Sequence, residues 1–219
     1  MAEILRGGDV CAVIIEPIQG VGGIIRPSDD FLQGLSLLCG AHKALLIADE
    51  VQSGYGRSGK FFAHQHAGIR PDIISVAKGM GNGFPIGGIL IAPTLQACYG
   101  LLGTTFGGNH LACAAALAVL EVIENENLLA HATELGNYLR TELLAHAGAQ
   151  EIRGRGLMVG IKYDFPIKEI RDQLLSEYHI FVGNASDPTV LRLLPPLNIT
   201  RAEVDRFLKA LYALVSVTA

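Results

Sequence analysis

Three short apolar runs in this sequence each end on a residue able to do chemistry. Cys11 to Glu16 closes on a carboxylate ahead of Pro17, Leu45 to Ala48 runs into Asp49, and Asp72 to Ala77 runs into Lys78. Such runs, bounded by polar residues, Gly or Pro, read as buried strands. In a doubly wound sheet ligands sit beyond the carboxyl ends of the strands, so two acids and an amine delivered there can converge on one ligand. Taken singly, each could equally be a strand-end residue in an ordinary salt bridge.

The neighbours of Lys78 argue for more. Ile73-Ile74-Ser75-Val76-Ala77 precede it, and Gly79, Gly81 and Gly83 follow. An amine at the end of a buried strand is partly desolvated, which favours the free base that attacks a carbonyl. Glycines beside it let backbone approach a flat adduct closely. Asp49 supplies the complement. Pyridoxal phosphate (PLP) acts as an electron sink while its ring nitrogen stays protonated, and a buried carboxylate keeps it so. The chain between Asp49 and Lys78 is long enough for a crossover between parallel strands. Val51 offers such a ring an apolar face, and Gln52 offers its phenolic oxygen an amide.

Other motifs compete and fail. Gly54-Tyr55-Gly56-Arg57-Ser58-Gly59-Lys60 has the glycine and lysine spacing of a phosphate-binding P-loop, but Phe61 stands where that motif needs Ser or Thr for magnesium. The candidate Walker B strand, Leu45 to Asp49, also leads straight into the loop. Gly79, Gly81 and Gly83 lack dinucleotide-fingerprint spacing. His64-Gln65-His66 has no companion ligands at zinc spacing, so no metal is expected. Cys11, Cys39, Cys98 and Cys113 are scattered through apolar stretches and read as reduced core residues.

The elements that must position these groups alternate between strand and helix, which predicts a parallel sheet covered by helices. Ser28 caps a helix over Asp29 to His42, with Leu32, Leu35 and Leu38 on one face. Ile89 to Ala92 reads as a fourth strand. His110 to Glu124 and Asn127 to Ala147 read as long helices. Short strands follow at Leu157 to Tyr163, Ile180 to Val182 and Val190 to Leu194, with a helix over Ile167 to Tyr178 between the first two. Thr200 and Glu203 form a capping box for a last helix. Residues 1–126 are thus expected to form part of a larger domain and 127–219 a small α+β domain. The 219 residues, half of them hydrophobic, suffice for a buried core. A net charge of −4 gives no reason to expect nucleic acid or an anionic membrane as partner. No apolar run is long enough to span a bilayer, and no secretion signal is evident, so a cytoplasmic location is expected.

With these residues assembled, the chain resembles the class III aminotransferases of PLP fold type I. Five ordered blocks carry the resemblance. They are Glu16-Pro17-Ile18-Gln19-Gly20, the stretch from Asp49 through Gly59, Ala77-Lys78-Gly79 through Pro85, Thr104-Thr105-Phe106-Gly107-Gly108-Asn109, and Leu191-Arg192-Leu193-Leu194-Pro195-Pro196. Gln19 to Gly23 and Leu102 to Gly108 look most like the acetylornithine branch, which includes succinylornithine enzymes. The resemblance implies a PLP-dependent α/β enzyme that moves the δ-amino group of N-acetyl- or N-succinyl-ornithine to 2-oxoglutarate, a step of arginine biosynthesis. Ornithine or 4-aminobutyrate aminotransferases share every residue quoted. It further implies that Lys78 is the Schiff-base lysine and proton carrier, and that Asp49 pairs with the pyridinium nitrogen. Val51 would contact the ring face and Gln52 the phenolic oxygen. Thr105 would reach the phosphate held by the other subunit of a homodimer, and Thr104 the substrate. Glu16 and Arg192 would form a switch in which the acid masks the arginine until 2-oxoglutarate arrives.

Some of the family pattern is not matched. The phosphate loop, the stacking aromatic and the arginine for the donor α-carboxylate belong to an N-terminal half with no counterpart here, and Met1 aligns inside the family sequence. Position 110 is His where Pro is usual, and position 21 is Val where Glu is common. The sites are therefore half-sites. The polypeptide alone is expected to bind PLP weakly or not at all, and a catalytically inert fragment is the rival reading.

Overall fold

The computed structural model describes residues 1–96, 98–100 and 103–218, which form two compact units. The first comprises Met1–Pro17, Pro27–Tyr55 and Lys60–Glu126; the second takes Ile18–Arg26, Gly56–Gly59 and Asn127–Ala219.

In the first unit, a short helix α1 (Ala2–Arg6) leads into a four-stranded sheet. Its strands are β1 (Ala12–Ile15), β2 (Leu45–Asp49), β3 (Ile73–Val76) and β4 (Gly88–Ile91), side by side in that order. The expected parallel pairing holds for the first three, but β4 runs antiparallel to β3. The link from Ala77 to Gly87 carries only a 3-10 turn at Lys78–Met80, shorter than the roughly dozen residues of a crossover, so the chain must double back.

Helix α2 (Asp29–His42) starts where its cap predicts. The Ser28 hydroxyl accepts the Phe31 N–H at 3.1 Å, and Asp29 and Asp30 sit favourably in the first turn. Its Leu35 and Cys39 pack on Leu46, with Val13 and Ile15 alongside. Strand alternation then sends the odd-numbered residues of β2 and β3 to the opposite face. There Ile14, Ile47, Ile73 and Ile91 stand in register across all four strands, and Ile14 is 64% exposed. One step further toward the carboxyl edge, Asp49 stands beside Ser75 and Ser75 beside Ile89. Only Cys39 of the four cysteines is buried; Cys11, Cys98 and Cys113 are exposed, contrary to their expected place in a core. Cys113 lies on helix α3 (His110–Asn125), several of whose apolar residues, Leu111 and Leu117 among them, face outward.

The second unit wraps three helices, α4 (Leu128–His146), α5 (Lys168–Ser176) and α6 (Arg201–Thr218), around an antiparallel sheet. The strand order is β5 (Glu151–Arg155), β6 (Met158–Lys162), β8 (Val190–Leu193), β7 (Gly183–Asn184). Leu135, Leu139 and Leu143 of α4, Leu174 of α5 and Leu211 of α6 close over Ile161 and Leu191. The capping box is formed, with the Thr200 N–H donating to Glu203 at 2.7 Å and the Glu203 N–H to Thr200 Oγ1 at 3.3 Å. Two features differ from expectation. Strand β5 was not anticipated, because Glu151-Ile152-Arg153-Gly154-Arg155 buries only Ile152 and reads as polar; it is an edge strand. The strand expected over Ile180 to Val182 forms instead at Gly183–Asn184, since the Ile180 N–H is taken by the Leu174 carbonyl of α5 at 2.8 Å.

Among the described residues, no helix is long and apolar enough to cross a membrane.

Candidate cofactor site at the carboxyl edge of the first sheet

Because β1, β2 and β3 are parallel, their carboxyl ends share one edge. Asp49 pairs with Ser75, so Lys78 follows three residues beyond that pair, and Glu16 follows Ile15, the partner of Ala48. Glu16 and Asp49 are each half-buried. The Asp49 side chain faces away from α2, and its Oδ1 accepts the Val51 N–H at 3.0 Å, which orients the carboxylate. The Glu50 N–H donates to the Ser75 carbonyl at 3.0 Å, extending the ladder one step past the strand. Half-buried Val51 and Gln52 follow.

Lys78 differs from expectation in one respect. It is exposed rather than desolvated, because the turn carries it past Val76–Gly88, the last ladder pair of β3. Its backbone is left-handed, φ 43°, a strained conformation for a residue with a Cβ. The glycines behind it serve the turn itself. A Cβ on Gly81 would lie 2.3 Å from the Phe84 carbonyl oxygen, and Gly83 has φ 101°.

Thr104 and Thr105 are exposed in the loop before α3, where Thr104 Oγ1 accepts the Gly107 N–H at 3.2 Å. Asn109 closes that loop, capping α3 through the Ala112 N–H at 2.9 Å and donating to the Phe106 carbonyl at 2.9 Å. Leu102, part of the same motif, lies outside the described residues. Arg192 stands on β8 of the second unit, flanked by Gly160 and Gly183. So Glu16, Asp49, Val51, Gln52 and Lys78 share one edge, while Thr104, Thr105 and Arg192 stand on other elements.

The P-loop look-alike is no phosphate cradle. A Cβ on Gly59 would lie 2.3 Å from Thr133 Oγ1 of α4, and the Arg57 carbonyl accepts the Leu157 N–H at 3.0 Å. Arg57 itself donates to the Pro195 carbonyl, and burial lowers the pKa of its guanidinium. The loop's glycines make room for protein, not for a ligand.

One buried cluster went unread in the sequence. Glu50 is 1% exposed and accepts four hydrogen bonds: Ser53 Oγ at 2.6 Å, the Ala63 N–H at 3.0 Å, the His64 N–H at 2.8 Å and His64 Nδ1 at 2.9 Å. Burial alone would raise the Glu50 carboxyl. The bonds from His64, Ser53 and the two amides outweigh it and hold the group below the ordinary glutamate range. An ionised carboxylate only accepts, so Nδ1 of His64 carries the proton. The signal was available in principle: strand alternation turns the neighbour of Asp49 inward, and an inward acid needs donors. Among the described residues no group of His, Cys, Asp or Glu is arranged to hold a metal ion.

The edge fits PLP by its donor set. A carboxylate suits a protonated ring nitrogen, an amide a phenolic oxygen and an amine an aldehyde carbon. Beside Asp49, the buried Ser75 hydroxyl has no hydrogen-bond partner in the protein, a polar group left over at the point where a ligand would arrive.

Comparison with known proteins bears on the family. The aminotransferase class-III family profile matches residues 3–215. Acetylornithine aminotransferase 1 of Bordetella pertussis is 47% identical over 213 residues, covering 94% of this chain and 53% of the relative. The Bacillus subtilis acetylornithine aminotransferase is 43% identical over 202 residues, covering 90% and 52%. The chain thus spans about half the length of the curated relatives it matches. Among solved structures, an ornithine aminotransferase from Plasmodium yoelii superposes with a TM-score of 0.90 at 33% identity, covering all of this chain and 60% of the other. An acetylornithine aminotransferase from Elizabethkingia anophelis does so with a TM-score of 0.86 at 32% identity, over 99% and 60%. The fold is that of PLP-dependent aminotransferases, and with a profile match running nearly end to end, the chain belongs to the class-III aminotransferases.

Proposed function

We propose that this chain carries the cofactor lysine and the ring-nitrogen carboxylate of an acetylornithine aminotransferase. The whole enzyme would transfer the δ-amino group of N-acetyl- or N-succinyl-ornithine to 2-oxoglutarate, giving the semialdehyde and glutamate. The observation that carries this reading is that Asp49 ends β2 and Lys78 follows just past the end of the adjacent parallel strand β3, at the same edge. The identity of the curated acetylornithine relatives, 43–47% in the two cases above, supports the choice of donor.

PLP, when bound, supplies the electron sink for carbon-bound hydrogen to leave as a proton. Everything else falls to protein groups. Asp49, held by the Val51 N–H, keeps the ring nitrogen protonated. Val51 packs on the ring face, and Gln52 bonds the phenolic oxygen. Lys78 would hold the cofactor through its amine and, once free of it, would move the proton as a general base and acid. Thr105 would reach the phosphate in the partner subunit of a homodimer, with Thr104 against the substrate. Glu16 and Arg192 would alternate between pairing with each other and releasing the arginine to 2-oxoglutarate. A cytoplasmic location belongs to the same reading.

The test is spectroscopic. PLP added at a concentration high enough to overcome the weak binding expected of a half-site should give a protein-bound absorbance band that Lys78→Ala abolishes and Asp49→Asn shifts. Once the chain is complemented with the N-terminal half of a relative, N-acetylornithine should bleach that band in a single turnover, faster than ornithine or 4-aminobutyrate. A band indifferent to both substitutions overturns the residue roles. Bleaching only by 4-aminobutyrate or free ornithine overturns the donor, and no band at saturating PLP favours the inert fragment.

A further inference from the structure

The buried Glu50–His64 pair has no part in the roles above, yet Glu50 accepts four hydrogen bonds right beside the edge. Glu50 immediately follows Asp49, and alternation sends the two carboxylates to opposite sides of the backbone. The turn that begins at Glu50 is wound tightly around it. Its carbonyl accepts the Gly54 N–H at 3.0 Å, and its carboxylate accepts the Ser53 hydroxyl at 2.6 Å. A Cβ on Gly54 would come within 2.8 Å of that carbonyl oxygen, so this winding requires glycine.

The same carboxylate reaches a second segment through the Ala63 and His64 amides and the His64 ring. Phe62 stacks on that ring at 5.5 Å between centroids, and Phe61 packs edge-on to Phe62 at 4.8 Å. Ser53 and His64 are 1% and 5% exposed, so water cannot replace these donors. Glu50 is thus anchored to the β3 ladder through its own N–H and to the aromatic segment through its carboxylate, and Ser53, at the far end of the turn, is tied back to that same carboxylate. Between the anchors stand the residues that would meet the ring: Val51 and Gln52, with Asp49 just ahead and bonded to the Val51 N–H.

We propose that Glu50 and His64 are positioning residues: together they clamp the 50–53 turn so that its Val51 amide holds the Asp49 carboxylate in the orientation that a ring nitrogen requires. His64 acts here through its Nδ1–H, which aligns the Glu50 carboxylate. The functional meaning rests on the cofactor reading above, but the geometry can be tested without cofactor.

The measurement is amide hydrogen exchange by NMR on the whole chain, comparing the unsubstituted protein with Glu50→Gln, His64→Leu and His64→Asn. Asparagine can place its Nδ2 donor close to the position of Nδ1, whereas leucine fills the space with no donor. Glu50→Gln and His64→Leu should lower protection at Val51 by about tenfold, a loss of local ordering at Asp49 itself, and His64→Asn should restore most of it. If Ala63 and His64 lose protection while Val51 keeps it, the cluster is a local staple only and the inference is wrong. Equal effects of His64→Asn and His64→Leu overturn it too. Should Glu50→Gln fail to fold, the two His64 variants decide alone. Neither PLP nor substrate enters the measurement, so a chain that binds no cofactor leaves its outcome intact, and an unmoved Val51 overturns the clamp without touching the cofactor reading.

Discussion

Lys78 holds a conformation that most residues avoid, and that strain should be measurable. At φ 43° its Cβ crowds its own backbone, which costs a non-glycine residue about 1–2 kcal/mol. Lys78→Gly removes that cost but adds roughly 0.5–1 kcal/mol of backbone entropy lost on folding. The net expectation is a gain of about 0.5–1 kcal/mol over Lys78→Ala, which lacks the amine but keeps the strain. The side chain is exposed, so truncation sacrifices little packing in either variant. Because the chain divides into two units, a single melting temperature would mix their transitions. Exchange of the β3 ladder amides reports the first unit alone. Those amides should be about two- to fivefold better protected in Lys78→Gly than in Lys78→Ala. Equal protection, or better protection in the alanine variant, would show that the backbone here is unstrained and that the left-handed conformation has no stability cost at this position.

Other substitutions follow from single contacts. Gly136→Ala ordinarily favours a helix, but here the new Cβ would lie 2.3 Å from the Gly156 carbonyl oxygen. Overpacking of this kind should cost about 1–3 kcal/mol in urea denaturation. Tyr163→Phe removes a hydroxyl that is fully buried and has no partner in the protein, and whose pKa burial pushes far above its usual value. Its denaturation midpoint should be unchanged or higher, since no protein hydrogen bond is lost. The Glu50 carboxyl is held below the ordinary glutamate range, so it binds a proton more readily unfolded than folded. Its stabilising contribution is complete above the unfolded pKa and disappears as pH falls through the lowered folded value. The stability gap between the unsubstituted chain and Glu50→Gln should therefore narrow on acidification across that window. A pH-independent gap would mean that the carboxylate bonds do not carry it.

Local features were legible in the sequence wherever one segment determines the outcome. Ser28 and the Thr200–Glu203 box mark their helix starts because a cap needs only residues three apart. The apolar runs ending at Glu16, Asp49 and Lys78 fall where the strands end, to within a residue or two, because burial imposes the pattern directly. What depends on partners elsewhere was not legible. The reversal of β4 follows from a short link, a geometric limit that alternation of elements does not express. The Glu50 clamp joins a strand end to residues 13 and 14 positions later, and only the fold shows that they meet. The exposure of Lys78 and of three cysteines was hidden because burial depends on what packs over a segment, although each lies in or beside an apolar stretch. Strand β5 hid because an edge strand with one buried residue leaves almost no hydrophobic signature.

The most direct measurement of the central claim is to treat the chain with saturating PLP, reduce it with borohydride and map the labelled lysine by peptide mass spectrometry. A single pyridoxyl phosphate group on the peptide containing Lys78, weakened by Asp49→Asn and absent in Lys78→Ala, is the expected result. Label spread evenly over exposed lysines such as Lys43, Lys60 and Lys168, or undiminished when Lys78 is replaced, would contradict it.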